Sequence, residues 1–439
     1  MNRLNKDLGI FRGAGLMSTS LLGAGVFVVP ALAATIAERW SILAWGLLIL
    51  LVIPVALTFA MLGRKYPHAG GAAHFVGLAM GHRLEKLTAF LFLASIPVAI
   101  PAGLILATGF WTALFELSSL SIFAIKLGIL ASILILGFGG TRFFGSLQLC
   151  IALLIIGLMA FLWYGGDIQL SDFSLPLDDY SSMKSIIPAL AVMFWCFVGI
   201  EAFIHMGEEF KRPDRDLPIA LLLGVLIAGL VYGICSVAVI KFSAYGCEAD
   251  NAGSVPAMIG CVLGVIGKWI AAIVGFLTCF ASINMYIQSF AKLLWSMADE
   301  GFLNFPGSRK LSLLSARKVP VTALLVVIIA STLSASISHY MNASLENLIC
   351  SANGNFIAVY ILAMLAGVKL LSGTQKILAV ISLLLCLLIL AALGTDAAYM
   401  VTVAMLFLCL DWLSIRSMTV KTECFLDETC RNRNLGGWR

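Results

Sequence analysis

Charged side chains are what this sequence has least of. Only 12% of its 439 residues are Asp, Glu, Lys or Arg, against roughly 25% in an ordinary water-soluble domain. Hydrophobic residues make up 61% and the mean hydropathy is +1.02. So thin a polar coat cannot cover a water-soluble surface, whereas lipid requires none, and the class is integral membrane protein. No basic stripe interleaved with aromatics occurs, which leaves nucleic acid without support as a partner. The five histidines (His68, His74, His82, His205, His339) show no two-ligand spacing, and no His or Cys pair at zinc spacing accompanies Cys424 and Cys430, so neither metal nor other cofactor is expected. No HExxH, no GxSxG and no paired carboxylates fall at mid-depth, which argues against a membrane-embedded enzyme. Polar pore linings running along several spans, as a channel needs, are missing too. Most of the 11 cysteines sit in apolar runs and read as small core residues. Cys247 and Cys261 share one outer segment and are within reach of pairing.

What is present is a series of long apolar runs. A helix needs about 20 mostly apolar residues to cross the hydrocarbon. Twelve segments qualify: 10–36, 41–63, 86–111, 121–138, 143–165, 185–209, 217–242, 264–297, 319–338, 346–370, 374–393 and 396–415. The first follows Arg3, Lys6 and Arg12 and ends near Pro30-Ala31-Leu32-Ala33, which mimics a cleavable leader. It runs on through Ile36 and reads as an uncleaved helix. Placing residues 1–12, the alternate connections and the tail on one side gathers 23 of the 28 basic residues there. Arg39, Lys126, Lys184, Lys241 and Lys268 remain on the other side. That asymmetry predicts both termini in the cytoplasm.

Two spans differ from the rest. Span 1 carries Ser18-Thr19-Ser20-Leu21-Leu22-Gly23-Ala24-Gly25 and span 6 carries Phe194-Trp195-Cys196-Phe197-Val198-Gly199-Ile200-Glu201. Both place glycine and polar residues at mid-depth, five spans apart. Such pairs mark inverted-repeat transporters whose helices are interrupted at a midplane site, although close helix packing alone also uses small residues. The expectation is one transmembrane domain over 1–415. Repeat one covers about 10–165, repeat two about 185–370, two extra helices fill 374–415, and 416–439 is a cytoplasmic tail.

An interrupted helix suits an amino-acid substrate. The N–H groups of a half-helix attract a carboxylate and the carbonyls at a half-helix end attract an ammonium. This assigns the carboxylate to Gly23, Ala24 and Gly25, and the ammonium to carbonyls near Leu21, Trp195 and Val198, beside Gly199. Phe194 and Trp195 stand where an aromatic gate would. Glu201 is the single carboxylate near the middle of any predicted span. An intramembrane acid is a functional candidate by default, and low dielectric disfavours its charged form, which suits a proton carrier. The alternative is a permanently neutral Glu that braces the break. The substrate segments are poor in charge, Ile96-Pro97-Val98-Ala99-Ile100-Pro101-Ala102-Gly103 among them. A pocket of that kind rejects charged side chains.

These residues resemble the amino acid–polyamine–organocation superfamily over nearly the whole chain. The likeness rests on the span 1 Gly-Ala-Gly-Val-Phe run, on Tyr66-Pro67-His68-Ala69-Gly70-Gly71, on Phe197–Glu201 leading to Glu208-Glu209-Phe210-Lys211-Arg212-Pro213, and on 289–301. The stretches 193–200 and 69–76 look especially similar to its bacterial exporters of L-methionine and branched-chain amino acids. The resemblance implies an all-α, leucine-transporter-like fold of about 12 helices in the bacterial inner membrane. It also implies efflux of methionine, leucine, isoleucine or valine driven by the proton gradient, with proton-coupled import as the alternative direction. Two departures stand out: residues 143–165 contain no Lys, where some proton-coupled relatives place one, and Lys292 stands where many have Arg.

Overall fold

The computed structural model describes residues 6–411 apart from Ala24, Gly140, 176–179, Cys247 and 304–306. Within these residues the secondary structure is helical, with one isolated backbone bridge between Leu8 and Phe210. The helices are α1 (Ile10–Leu22), α2 (Gly25–Ala37), α3 (Trp40–Lys65), α4 (Gly71–Met80), α5 (His82–Leu93), α6 (Ile96–Thr112), α7 (Ser119–Gly137) and α8 (Thr141–Gly165). They continue with α9 (Ile186–Met193), α10 (Ile200–Ile204), α11 (Pro213–Lys241), α12 (Glu248–Asp299), α13 (Ser308–Leu311), α14 (Val321–Tyr340), α15 (Leu345–Leu370) and α16 (Thr374–Leu393). A shorter apolar helix, α17, covers Ala398–Asp411.

Ten of these elements, alone or in end-to-end pairs, are long and apolar enough to cross a membrane, and they coincide with ten of the twelve expected segments. The other two behave differently. Span 6 has no continuous helix: α9 gives way to a 3-10 turn, Phe194–Phe197, before α10 resumes. The described part of the last span is confined to α17. The start expected for span 8 matches a kink inside α12 at Gly264 (φ 67°), which separates a short helix from the spanning one.

Hydropathy finds the spans but does not say which are central. Span 1 and the Ser119–Gly137 helix have similar mean hydropathies, 2.0 and 2.3, yet 82% of the first window and 28% of the second are buried. Spans 1, 3, 7 and 10 form the interior. Helices such as α7, α14 and α16 present Ile135, Leu333 and Leu384, each about 60% exposed or more, where lipid tails would lie. Inside, α1 packs against α11 and α8, while α2 packs against α12, α9 and α11. The two halves of span 1 therefore share α11 and α12 but differ in a third neighbour, α8 for the first and α9 for the second, and the gap between them is walled by span 6.

Outside the described residues lie Ala24, the proposed Cys247–Cys261 pair through Cys247, and the tail 416–439 with Cys424 and Cys430.

Candidate functional site

Span 1 breaks within two residues. The last turn of α1 closes when the Gly23 N–H donates to the Thr19 carbonyl at 2.9 Å. Gly23 then leaves the helix at φ 18°, ψ −133°. Its N–H is thus already committed in this conformation, and the N–H groups without a helical partner begin with the first turn of α2 at Gly25. Behind the break, the Ser20 carbonyl accepts from Ser282 Oγ (3.3 Å) and the Leu21 carbonyl from the Tyr232 hydroxyl (2.7 Å). Trp45 stacks on Tyr232 with ring centres 4.7 Å apart and fixes that phenol.

Span 6 opens after its 3-10 turn. Val198 is extended (ψ 125°) and Gly199 has φ 138°, a region that side chains rarely enter. A Cβ on Gly199 would also lie 2.6 Å from Ser20 Oγ, so glycine is needed there for space as well as for backbone angle. The same Ser20 belongs to span 1, and a Cβ on Gly25 would reach Cys196 Sγ of span 6 at 3.0 Å. The two breaks therefore abut.

Where they meet there is a small cavity of about 30 Å³, lined by Ser20, Leu21, Gly25, Ala99, Ile100, Gly103, Trp195, Val198, Cys279, Ser282, Ile283 and Tyr286. That is far below the roughly 300–1,000 Å³ of an open ligand pocket. An amino acid can enter only if the walls separate. The lining carries no charged side chain among the described residues. Ser20 Oγ is buried and has no hydrogen-bond partner, leaving a hydroxyl ready for a ligand.

Of the residues singled out from sequence, Leu21, Gly25, Trp195 and Val198 line this cavity, and Gly199 adjoins it through Ser20. Gly23 sits just behind, where a Cβ would be 2.7 Å from Ser282 Oγ. Phe194 points elsewhere, its ring edge-on to Tyr360. Glu201 does not reach the cavity wall. It is fully buried in α10, where Oε2 accepts from the Gly199 N–H (3.1 Å) and Oε1 from the Tyr286 hydroxyl (3.1 Å). The Tyr360 hydroxyl contacts Oε2 as well and lies 3.0 Å from the Phe197 carbonyl. Tyr286 is thus shared: it forms cavity wall on one side and binds the carboxylate on the other.

Tyr286 and Tyr360 were missed in the sequence. A signal exists, since a phenol placed within an apolar span needs a hydrogen-bond partner, but nothing in one sequence says that spans 8 and 10 aim theirs at Glu201. Lys292, by contrast, does not approach the cavity. It forms an ion pair with Glu209, both side chains about 4% exposed or less, nearer the end of the bundle that carries the N-terminal segment. There Leu8 exchanges backbone hydrogen bonds with the segment after span 6, from Leu8 N–H to the Glu209 carbonyl (3.0 Å) and from Lys211 N–H to the Leu8 carbonyl (2.9 Å).

Comparison with known proteins agrees with this architecture. The amino acid permease family matches residues 8–410. The L-methionine/branched-chain amino acid exporter YjeH of Escherichia coli is 47% identical over 399 residues, covering 91% of this chain and 94% of that protein. More distant relatives include the putrescine transporter PotE of Escherichia coli, 26% identical over 82% of this chain and 83% of its own. The Escherichia coli cadaverine/lysine antiporter is 24% identical over 74% and 75%. These relatives are transporters rather than enzymes. A family match from before the first span to the last described helix, joined to a half-identical relative of nearly equal extent, places this multi-span membrane protein among them: the chain belongs to the amino acid permease family.

Proposed function

We propose that this protein exports neutral apolar amino acids, methionine and the branched-chain ones, in exchange for protons, by alternating access at the cavity between the two broken spans. The observation that carries the reading is the cage around Glu201. Tyr360 has one hydroxyl proton and two oxygens within reach. When Glu201 is ionised, Tyr360 donates to it. When Glu201 is protonated, its O–H donates to Tyr360, whose own proton turns to the Phe197 carbonyl. The cage therefore satisfies both protonation states without moving a heavy atom, as a proton carrier requires. Through Tyr286 the proton site touches the cavity wall, so substrate contact and proton occupancy are joined by one side chain.

The substrate carboxylate would sit on the N–H groups that open α2 and on Ser20 Oγ, helped by the helix dipole. The ammonium would meet carbonyls of Leu21, Trp195 or Val198. Ala99, Ile100, Gly103, Cys279 and Ile283 form a charge-free wall that suits an apolar side chain and leaves a cationic or anionic one unpaired. The relative that is 47% identical exports this class of compound by its name, which favours export over import. In this reading the chain crosses a bacterial inner membrane twelve times with both termini in the cytoplasm. Its first ten spans form two inverted repeats of five, and no cofactor is used beyond the proton gradient.

The test is a dipeptide load. Cells making the protein should hold less intracellular methionine and leucine than cells lacking it and release both faster, and dissipating the proton gradient should abolish the difference. Greater uptake of externally supplied amino acid would reverse the direction. No change for any neutral amino acid would overturn the substrate assignment.

A further inference from the structure

Four of the five histidines, distant in sequence, converge at the end of the bundle that the orientation above makes cytoplasmic. They surround the segment between α3 and α4, a strap that lies against His205 after span 6 and Ser296 of span 8. His68 and His74 stack with ring centres 3.9 Å apart. His68 Nε2 lies 3.7 Å from Glu300 Oε1, His74 Nδ1 lies 3.9 Å from Glu85 Oε1, and His82 Nδ1 is 3.0 Å from Glu85 Oε2. His205, at the end of span 6, holds the Ala69 carbonyl through Nδ1 at 2.8 Å. The turn itself closes with the Gly71 N–H on the His68 carbonyl (3.0 Å). Gly71 sits at φ 54°, and a Cβ there would meet the His205 ring at 2.5 Å. The strap is thus packed closely on His205, with Ser296 of span 8 on its other side.

One further bond gives this arrangement a direction. The Gly70 N–H donates to His68 Nδ1 at 3.0 Å. An imidazole nitrogen accepts only when it carries no proton, so the turn requires His68 to be neutral, with its single proton on Nε2 facing Glu300. Charging the ring puts a second N–H against the Gly70 N–H, two donors at hydrogen-bond distance. The bond is lost, and the ring is drawn toward Glu300 and Glu85. We propose that His68 is a proton-operated catch, holding the strap across the cytoplasmic mouth when neutral and releasing it when charged, so that a proton delivered to that side opens it to substrate.

The titratable surroundings favour a single-proton event. His68 faces His74 from α4, His82 and Glu85 from α5, His205 from α10, and Glu300 with Ser296 from α12. Lys292 is taken up by Glu209. An ordinary imidazole changes charge between about pH 5 and 8. His74 is pushed down to about 4, first by burial and then by its neighbour His68, so it stays neutral across that range.

The catch rests on the proposed orientation but is tested without substrate. Amide exchange of residues 66–80, followed by mass spectrometry in lipid nanodiscs and corrected for the intrinsic rate, should lose about tenfold protection between pH 8 and pH 6. His68→Asn keeps an acceptor for the Gly70 N–H, as asparagine does in turns, but cannot titrate, so its strap should remain protected across that range. Glu300→Gln, which removes the anion that draws the charged ring, should move the wild-type transition to lower pH. Glu201→Gln should leave it unchanged. A wild-type strap with no pH response, an equal response in His68→Asn, or a response lost in Glu201→Gln would each overturn the catch. Absence of methionine or leucine transport would overturn the substrate reading instead and leave the strap measurement intact.

Discussion

Glu201 and Glu209 stand eight residues apart on the same segment, both buried, 0% and 2% exposed, and their surroundings have nothing in common. Glu201 is held by two phenols and a backbone N–H, all dipoles, and one of the phenols can reverse its hydrogen bond. Glu209 is held by the ammonium of Lys292, a fixed charge. A carboxylate paired with a cation has a partner whose charge and position are fixed. A carboxylate caged by reversible dipoles keeps two states accessible. Span 6 carries both acids within eight residues, and the neighbours decide that one meets a fixed cation and the other a set of dipoles.

The largest expected effect comes from breaking the ion pair on one side. Lys292→Met strands the Glu209 charge in the interior and should cost roughly 3–5 kcal/mol of stability, seen as a large fall in the detergent melting temperature. Adding Glu209→Met should recover most of that loss, and a double variant no better than the single would refute the pairing. The cage should be gentler. Tyr360→Phe removes one hydroxyl from a buried carboxylate and should cost roughly 1–3 kcal/mol, with the pH optimum of transport displaced; an unmoved optimum would remove Tyr360 from the proton site. Smallest for stability is Glu201→Gln, since the amide oxygen can still accept from the Gly199 N–H while its NH2 donates to the Tyr286 oxygen, and a change under about 1 kcal/mol is expected. Its transport, however, should follow an altered pH profile. A pH profile like that of the wild type would make Glu201 a brace.

The contrast also marks what could be read in one dimension. Ten of the twelve expected spans were legible because each is one long apolar run, and the kink at Gly264 fell where one such run began. Both breaks were legible because Gly23, Gly25 and Gly199 bring flexibility and polarity to depths where a lipid-facing helix has no use for them. Glu201 stood out for the same reason. Its partners did not, because Tyr286 and Tyr360 lie 85 and 159 residues away and only the packing of spans 8 and 10 brings them in. The histidines failed as a pattern for a related cause. His68, His74 and His82 are spaced without metal-ligand regularity, and their role depends on a ring stack and a turn that spacing does not encode. The cavity's narrowness was also invisible, since residue identity names a wall but not its distance from the opposite one.

The bridge between Leu8 and Phe210 carries a consequence for motion. Two main-chain bonds yoke the lead-in to span 1 to the exit of span 6, and main-chain bonds cannot be retuned by changing a side chain. At that end the entry to the first interrupted helix and the exit of the second are a single mechanical part, so a swing of α1 would carry the end of span 6 with it.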